Sequence, residues 1–192
     1  LRVTDNPSLC QASKKGRVMP LYILDDQNSD EHFLGGASRW WLHRSLTELD
    51  NQLDGNLSLY RGDPLEILIG LVERKPIERV FWNRCYEPWR IERDKIIKKT
   101  LGELGVTVET FNGSLLWEPW NVLKQDGTPY KVFSPFYRNG CLKAESPREP
   151  LAKVKPQALS IDEGSLGVDG LGLLPSVKWY QEMEKFWNPG EQ

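Results

Sequence analysis

Apolar residues along this chain change spacing in a regular order. Val18-Met19-Pro20-Leu21-Tyr22-Ile23-Leu24 is an almost unbroken apolar run stopped by Asp25-Asp26, and a run able to be buried on both faces predicts a strand of a parallel sheet. Trp41, Leu42, Leu46, Leu49 and Leu53 then recur at three- and four-residue spacing, which predicts a helix over Arg39–Leu53 with Ser38 in position to cap it. Leu57–Arg61 returns as a strand. Pro64–Val72 is helical, and Arg79–Trp82 is the strand that follows. Ile91–Leu104 presents Ile96, Ile97, Leu101 and Leu104 on one side and lysines on the other; Gly105 ends it, and Val106–Phe111 is a further strand.

Alternating helices and strands specify an α/β fold: a doubly wound, Rossmann-like parallel sheet with helices on both faces. The first clear signal is a helix start, with Asn6 able to cap and Pro7 preset for the first helical position. The strand expected ahead of it in such a sheet would lie before Leu1. The expected fold therefore lacks its first strand. Residues 144–175 carry scattered charges among Pro147, Pro150, Pro156, Gly164, Gly167 and Gly170, the composition of an interdomain linker. Ser176–Trp187 reads as an amphipathic helix stopped by Asn188-Pro189-Gly190. The expected division is an α/β domain over residues 1–143, a linker over 144–175 and the start of a further domain over 176–192.

Composition narrows the function. A length of 192 residues bounds one core of ordinary size. A net charge of -2 leaves no basic footprint for nucleic acid, so DNA is expected to be met through another region. Cys10, Cys85 and Cys141 are odd in number and widely spaced, which indicates neither a disulfide framework nor a zinc site and favours a reduced, cytoplasmic setting. No run of about twenty apolar residues is present to span a bilayer.

Candidate chemistry concentrates in Trp82-Asn83-Arg84-Cys85-Tyr86-Glu87-Pro88-Trp89, where the strand from Arg79 should end. Ligands of open α/β sheets sit outside the carboxyl ends of the strands. An amide, a guanidinium, a carboxylate and three aromatic rings suit a flat ligand with polar edges. Glu87 has a second reading as a helix-start carboxylate meeting the next helix's dipole. Trp40 and Trp41 read as packing residues, and Arg39 as a possible partner of Glu87 or Glu118. No nucleophile and base stand at catalytic spacing.

Several ordered motifs carry a resemblance. Leu1-Arg2 with Asp5-Asn6-Pro7, Gly35-Gly36-Ala37-Ser38-Arg39-Trp40-Trp41-Leu42-His43, Trp82-Asn83 to Glu87-Pro88, Phe111-Asn112-Gly113, Glu118-Pro119-Trp120 and Pro129-Tyr130-Lys131-Val132-Phe133-Ser134-Pro135-Phe136 resemble the amino-terminal domain of DNA photolyases and cryptochromes. Trp179 and Trp187-Asn188-Pro189-Gly190-Glu191 resemble the lead into that family's helical flavin domain. The resemblance implies an antenna domain holding a light-harvesting chromophore. FAD, damaged DNA and the repair of pyrimidine dimers belong to the helical domain beyond this chain, so the chain alone is expected to be inactive as a deoxyribodipyrimidine photo-lyase. A cryptochrome photoreceptor domain is the alternative; a nucleotide-binding α/β domain unrelated to light is a further one, without a G-x-G-x-x-G signature.

The resemblance also ranks the chromophore: methenyltetrahydrofolate first, then 8-hydroxy-deazaflavin, then FMN. His32 falls near where folate-binding members place a ligand-contacting histidine. The Asn-Glu pair of those members is Trp89-Arg90 here, and Cys85 stands where deazaflavin-binding members tend to be acidic. On this reading Glu87 and Asn83 hydrogen-bond the ring edge, Tyr86 or Trp89 lies against the ring face, and Arg39 or Arg84 stands near an anionic tail, with His32 in the adjoining loop.

Overall fold

The computed structural model describes residues 1–26 and 33–191. Helices and strands alternate as α1 (Pro7–Lys15), β1 (Leu21–Leu24), α2 (Gly36–Gln52), β2 (Ser58–Arg61), α3 (Pro64–Arg74), β3 (Arg79–Asn83), α4 (Pro88–Glu103) and β4 (Thr107–Phe111). The caps explain where several of these begin. Asn6 Oδ1 accepts the Leu9 N–H at 3.2 Å, and Asp63 Oδ1 accepts those of Leu65 and Glu66 at 2.7 and 3.1 Å, each just ahead of a proline that has no N–H to satisfy. At α2 the expected cap is corrected. Gly35 is the cap, its carbonyl accepting the Arg39 N–H at 2.9 Å, and Ser38 lies inside the first turn.

The first strand is also shorter than its apolar run. The β1 ladder starts at Leu21, while Val18 forms a parallel bridge with Ala158 through Val18 N–H to Gln157 O (3.0 Å) and Leu159 N–H to Val18 O (2.7 Å). β1 pairs in parallel with β2, and β3 pairs in parallel with β4. Among the described residues no ladder joins the two pairs. They nevertheless share one core: Leu21 and Ile23 of β1 and Val80 and Trp82 of β3 pack with Leu68 of α3 and Leu101 of α4. Tyr22 and Leu24 turn to the other face, against Leu46 of α2 and Leu9 of α1. The result is a doubly wound, Rossmann-like parallel α/β fold whose two strand pairs are joined through side-chain packing.

Beyond β4 lie α5 (Phe133–Pro135), α6 (Gly167–Gly170) and α7 (Gln181–Glu184). The proline- and glycine-rich segment 144–175 is anchored to the α/β layers. Leu171 and Leu173 are buried with Leu24 and Leu59, and the Asp162 carboxylate accepts the Tyr60 hydroxyl at 2.6 Å and stands 2.6 Å from Lys75 Nζ. Those two partners hold Asp162 at a pKa of about 2, against 3.8 ordinarily. His43, buried on α2 against α6, has Nε2 3.8 Å from an exposed Asp169 carboxylate and no hydrogen-bond partner for Nδ1 among the described residues. Burial lowers its pKa below 6.5; Asp169 and Glu184 oppose the shift and Arg44 reinforces it.

Both groups destabilise the fold in acid. Neutral His43 contributes fully above pH 6.5 and progressively less below it, because the protonated form is favoured in the unfolded chain. The Asp162 contribution is complete above 3.8 and is lost as the pH falls to about 2, a difference of about 2 kcal/mol. Denaturant titrations should show two separate declines, and His43→Gln should remove only the first. A first decline that persists in His43→Gln would assign it to another group.

The amphipathic pattern over 176–187 yields only the short α7. Ahead of it the chain turns so that Tyr180 stacks on Trp40 of α2 (centroids 6.4 Å apart) and Trp179 packs against the first turn of α2 at Gly36. Trp40 is fully buried, donates Nε1–H to Glu184 at 3.2 Å, and meets Trp41 edge-on at 6.0 Å; Trp41 in turn meets Trp187 at 5.9 Å. Tertiary packing on α2 has overridden the helical spacing.

Candidate functional site

The carboxyl ends of β1, β3 and β4 run into Asp25-Asp26, Arg84–Glu87 and Asn112–Glu118, so the polar segments of the sequence meet at one edge of the sheet. At β1, Asp26 is gripped by Arg39 Nη2 (2.9 Å) and Arg61 Nη2 (3.1 Å), and Asp25 by Arg93 Nη1 (3.0 Å). Arg39 also donates Nε–H to Leu34 O at 3.2 Å. Its carboxylate partner is therefore Asp26, and it ties the start of α2 to the end of β1.

At β3 the side chains divide by direction. Asn83 turns toward α1: its Nδ2 donates to Asn6 Oδ1 at 2.8 Å and its Oδ1 accepts the Ser8 N–H at 3.2 Å. A Cβ on Gly113 would come within 2.5 Å of Asn83 Cγ, so the β4 loop can close over Asn83 only with glycine at that position. Arg84 turns toward β4. Its Nη1 donates to Thr110 O at 2.6 Å, Nε donates to Glu118 Oε1 at 3.1 Å, and Nη2 completes a second bond to that carboxylate. Tyr86 donates its hydroxyl to Glu118 Oε2 at 2.9 Å. Burial and this hydrogen bond raise the Tyr86 pKa above 10.0, so the phenol stays a donor. Trp120 lies under the Arg84 guanidinium at 5.9 Å.

α4 contributes the third part. Glu87 occupies its N-cap without capping a downstream amide; the half-exposed carboxylate accepts the Tyr86 N–H at 3.2 Å and stands 3.7 Å from Arg90 Nη1. The Arg90 and Arg93 guanidinium carbons lie 4.9 and 5.3 Å from the Trp89 ring centroid, within cation–π range. Arg90 Nη1 also reaches Cys85 Sγ at 3.5 Å, while its buried Nε–H has no partner among the described residues. Tyr22 stands nearby, its pKa raised above 10.0 by burial, with the Arg90 charge opposing.

The structure thus gathers Arg84 and Tyr86 around Glu118, and Glu87 and Trp89 around Arg90. Asn83 is held by α1, and Arg39 stands at β1. His32 falls outside the described residues. Two residues that organise the edge were not singled out as site residues from sequence. Glu118 is buried and accepts from both Arg84 and Tyr86; its sequence signals are the Glu118-Pro119-Trp120 motif and its reading as a partner for Arg39. Arg90 carries a buried Nε–H without a partner among the described residues, and in the sequence it is marked by its place in the first turn of α4 and by the Trp89-Arg90 departure from the folate-binding pattern. Among the described residues no three His, Cys, Asp or Glu side chains converge as a metal site. A hollow of about 510 Å³ beside Trp40 and Met183 lies away from the strand ends and is lined by apolar and hydroxyl-bearing side chains. The strand edge is the better candidate, because charged and aromatic groups converge there with polar capacity in hand.

Comparison with known proteins places these features in context. The sequence model of the DNA photolyase family matches residues 1–156. A deoxyribodipyrimidine photo-lyase of Agrobacterium fabrum is 35% identical across 100% of this chain, which spans 40% of that protein. Cryptochrome-1 of Arabidopsis thaliana is 32% identical over 81% of this chain and 23% of its own length. A crystal structure of a bacterial class III photolyase from Agrobacterium tumefaciens, 34% identical, superposes with a TM-score of 0.85 over 98% of this chain and 40% of that one. Among the described residues no helix is long and apolar enough to cross a membrane.

Proposed function

Because the chain belongs to the DNA photolyase family, we propose that it is the amino-terminal, light-harvesting-chromophore domain of a deoxyribodipyrimidine photo-lyase. The similarity to a photolyase along the whole chain, in sequence and in backbone, carries this reading. The chain spans 40% of that relative, so blue-light repair of pyrimidine dimers, FAD and contact with DNA are assigned to a helical domain that follows the segment 144–175. The cryptochrome match, at lower identity and over less of the chain, supports a second reading as the same domain of a photoreceptor. Both readings give this half the same task. That task is to hold a dye at fixed distance and orientation, and the photochemistry is the dye's own.

The strand edge fits a planar dye with polar edges and an anionic tail. Glu87 keeps an accepting carboxylate at the rim, Arg90 keeps a buried Nε–H that has no partner among the described residues, and Trp89 offers a ring against the Arg90 guanidinium. Glu87 and Trp89 would meet the ring system and Arg90 the tail. Asn83, Arg84 and Tyr86 already have internal partners and would act by holding the strand end in shape, as Arg39 does at β1. Methenyltetrahydrofolate remains the first choice of dye, ahead of 8-hydroxy-deazaflavin and FMN.

The test adds each dye separately to the purified chain and follows near-ultraviolet absorbance after removal of unbound dye. One of the three should be retained. Glu87→Ala should weaken retention about ten- to a hundred-fold, the loss of one hydrogen bond to a buried ring edge. Equal retention by both proteins would make Glu87 a helix-start residue only. No retention of any dye would overturn the antenna reading.

A further inference from the structure

Alternate residues of a parallel strand bond each neighbour, so the bonds at the two ends of β2 fix which of its residues face outward. Ser58 N–H donates to Pro20 O at 2.9 Å, and Gly62 N–H to Leu24 O at 3.1 Å. Ser58 and Tyr60 therefore serve β1, and the peptide groups of Leu57, Leu59 and Arg61 point away from it. An open edge of this kind is a template for pairing with another chain. Among the described residues no strand lies on it. Instead the proline- and glycine-rich segment crosses it without forming a ladder: Leu59 N–H donates to Ser165 Oγ at 2.8 Å, and Leu59 O accepts the Leu166 N–H at 2.9 Å. Leu57 N–H is taken by Asp50 Oδ1 of α2 at 3.0 Å.

The covering segment is held at separate points. Ala158 bridges Val18, and Asp162 is fixed by Tyr60, by Lys75 and by Ser58 Oγ, which accepts its N–H at 3.0 Å. Leu171 and Leu173 are buried against Leu24, Leu53, Leu57 and Leu59. Between these points stand Gly164, Gly167 and Gly170, which bury no side chain. A segment with so few apolar anchors can open locally while the sheet beneath stays intact. Opening would uncover two things together: the peptide groups of Leu59, and the leucine surface beneath Leu171 and Leu173.

We infer that residues 157–173 are an edge guard, a segment that opens separately from the sheet and, while closed, keeps β2 from pairing with β2 of a second copy of this chain. The edge itself selects that occupant. β2 has only four residues, so a strand running past it would gain few bonds. Antiparallel pairing about a twofold axis at Leu59 lets the two Leu59 residues satisfy each other's N–H and C=O groups. The same axis brings the two uncovered leucine clusters side by side, where each covers the other.

Two measurements test this. In the unmodified chain, a monomer by sedimentation, the Leu59 amide should exchange with solvent about tenfold or more faster than the Tyr60 amide, because one opens with the guard and the other with the ladder. Equal rates would overturn the guard as a separately opening unit. The double substitution Ser165→Ala and Leu166→Pro removes the acceptor and the donor that meet Leu59, and this protein should sediment as a dimer. A peptide of residues 157–173 added in trans should return it to monomer; the same peptide carrying both substitutions should not. A folded monomer would overturn the pairing, and a dimer indifferent to the peptide would assign association to another surface. Loss of the native circular dichroism spectrum would make the segment part of the core, which overturns the inference equally.

Discussion

Trp40→Ala should be the most destabilising single change in this chain, lowering unfolding free energy by about 3–5 kcal/mol. The ring is fully buried, touches Trp41 and Tyr180, and donates to Glu184. Truncation removes the packing that joins α2 to the segment around α7 and leaves a void between them. Trp40→Phe separates the contributions, since it keeps most of the ring and loses the Nε1–H bond; it should cost about 1–2 kcal/mol. Urea titration of the three proteins decides. Equal midpoints for wild type and Trp40→Ala would mean that the segment around α7 does not depend on α2 for its place.

Glu118→Ala should cost about 2–4 kcal/mol, because the Arg84 guanidinium and the Tyr86 hydroxyl both lose their acceptor in a largely dry site. Glu118→Gln keeps an acceptor for one of them and should cost less. The effect has a direction in space as well. The Arg84–Glu87 turn is held to the loop after β4 through Glu118, so dye retention should fall with stability in Glu118→Ala. In Glu87→Ala it should fall with stability unchanged. Full dye retention by a folded Glu118→Ala would show that the turn keeps its shape without this link.

The fold was legible wherever the apolar spacing was long and unbroken. Leu42, Leu46, Leu49 and Leu53 fit a helix face, and the helix and strand order from Pro7 to Phe111 follows from such runs together with the cap at Asn6. What could not be read were structures made by distant residues. Val18 leaves the β1 ladder because residues 157–159 reach it, and the helix expected over 176–187 shrinks because Trp179 and Tyr180 pack on α2. The strand-end site was legible in place and less so in its parts. Asn83, Arg84 and Tyr86 are polar residues at a strand end, which reads as ligand contact. Whether each turns to a ligand or to α1 and Glu118 depends on partners 32 to 77 residues away.

The Glu191 carboxylate accepts the main-chain N–H groups of Val3 at 2.6 Å and Thr4 at 3.0 Å, and Gln52 Nε2 donates to its carbonyl at 2.5 Å. The segments at residues 3–4 and 191 are thereby clasped to one another, with the last residue of α2 bound beside them. Loss of the Glu191 carboxylate would therefore loosen the approach to α1, and the segment that follows α7 would lose its hold there.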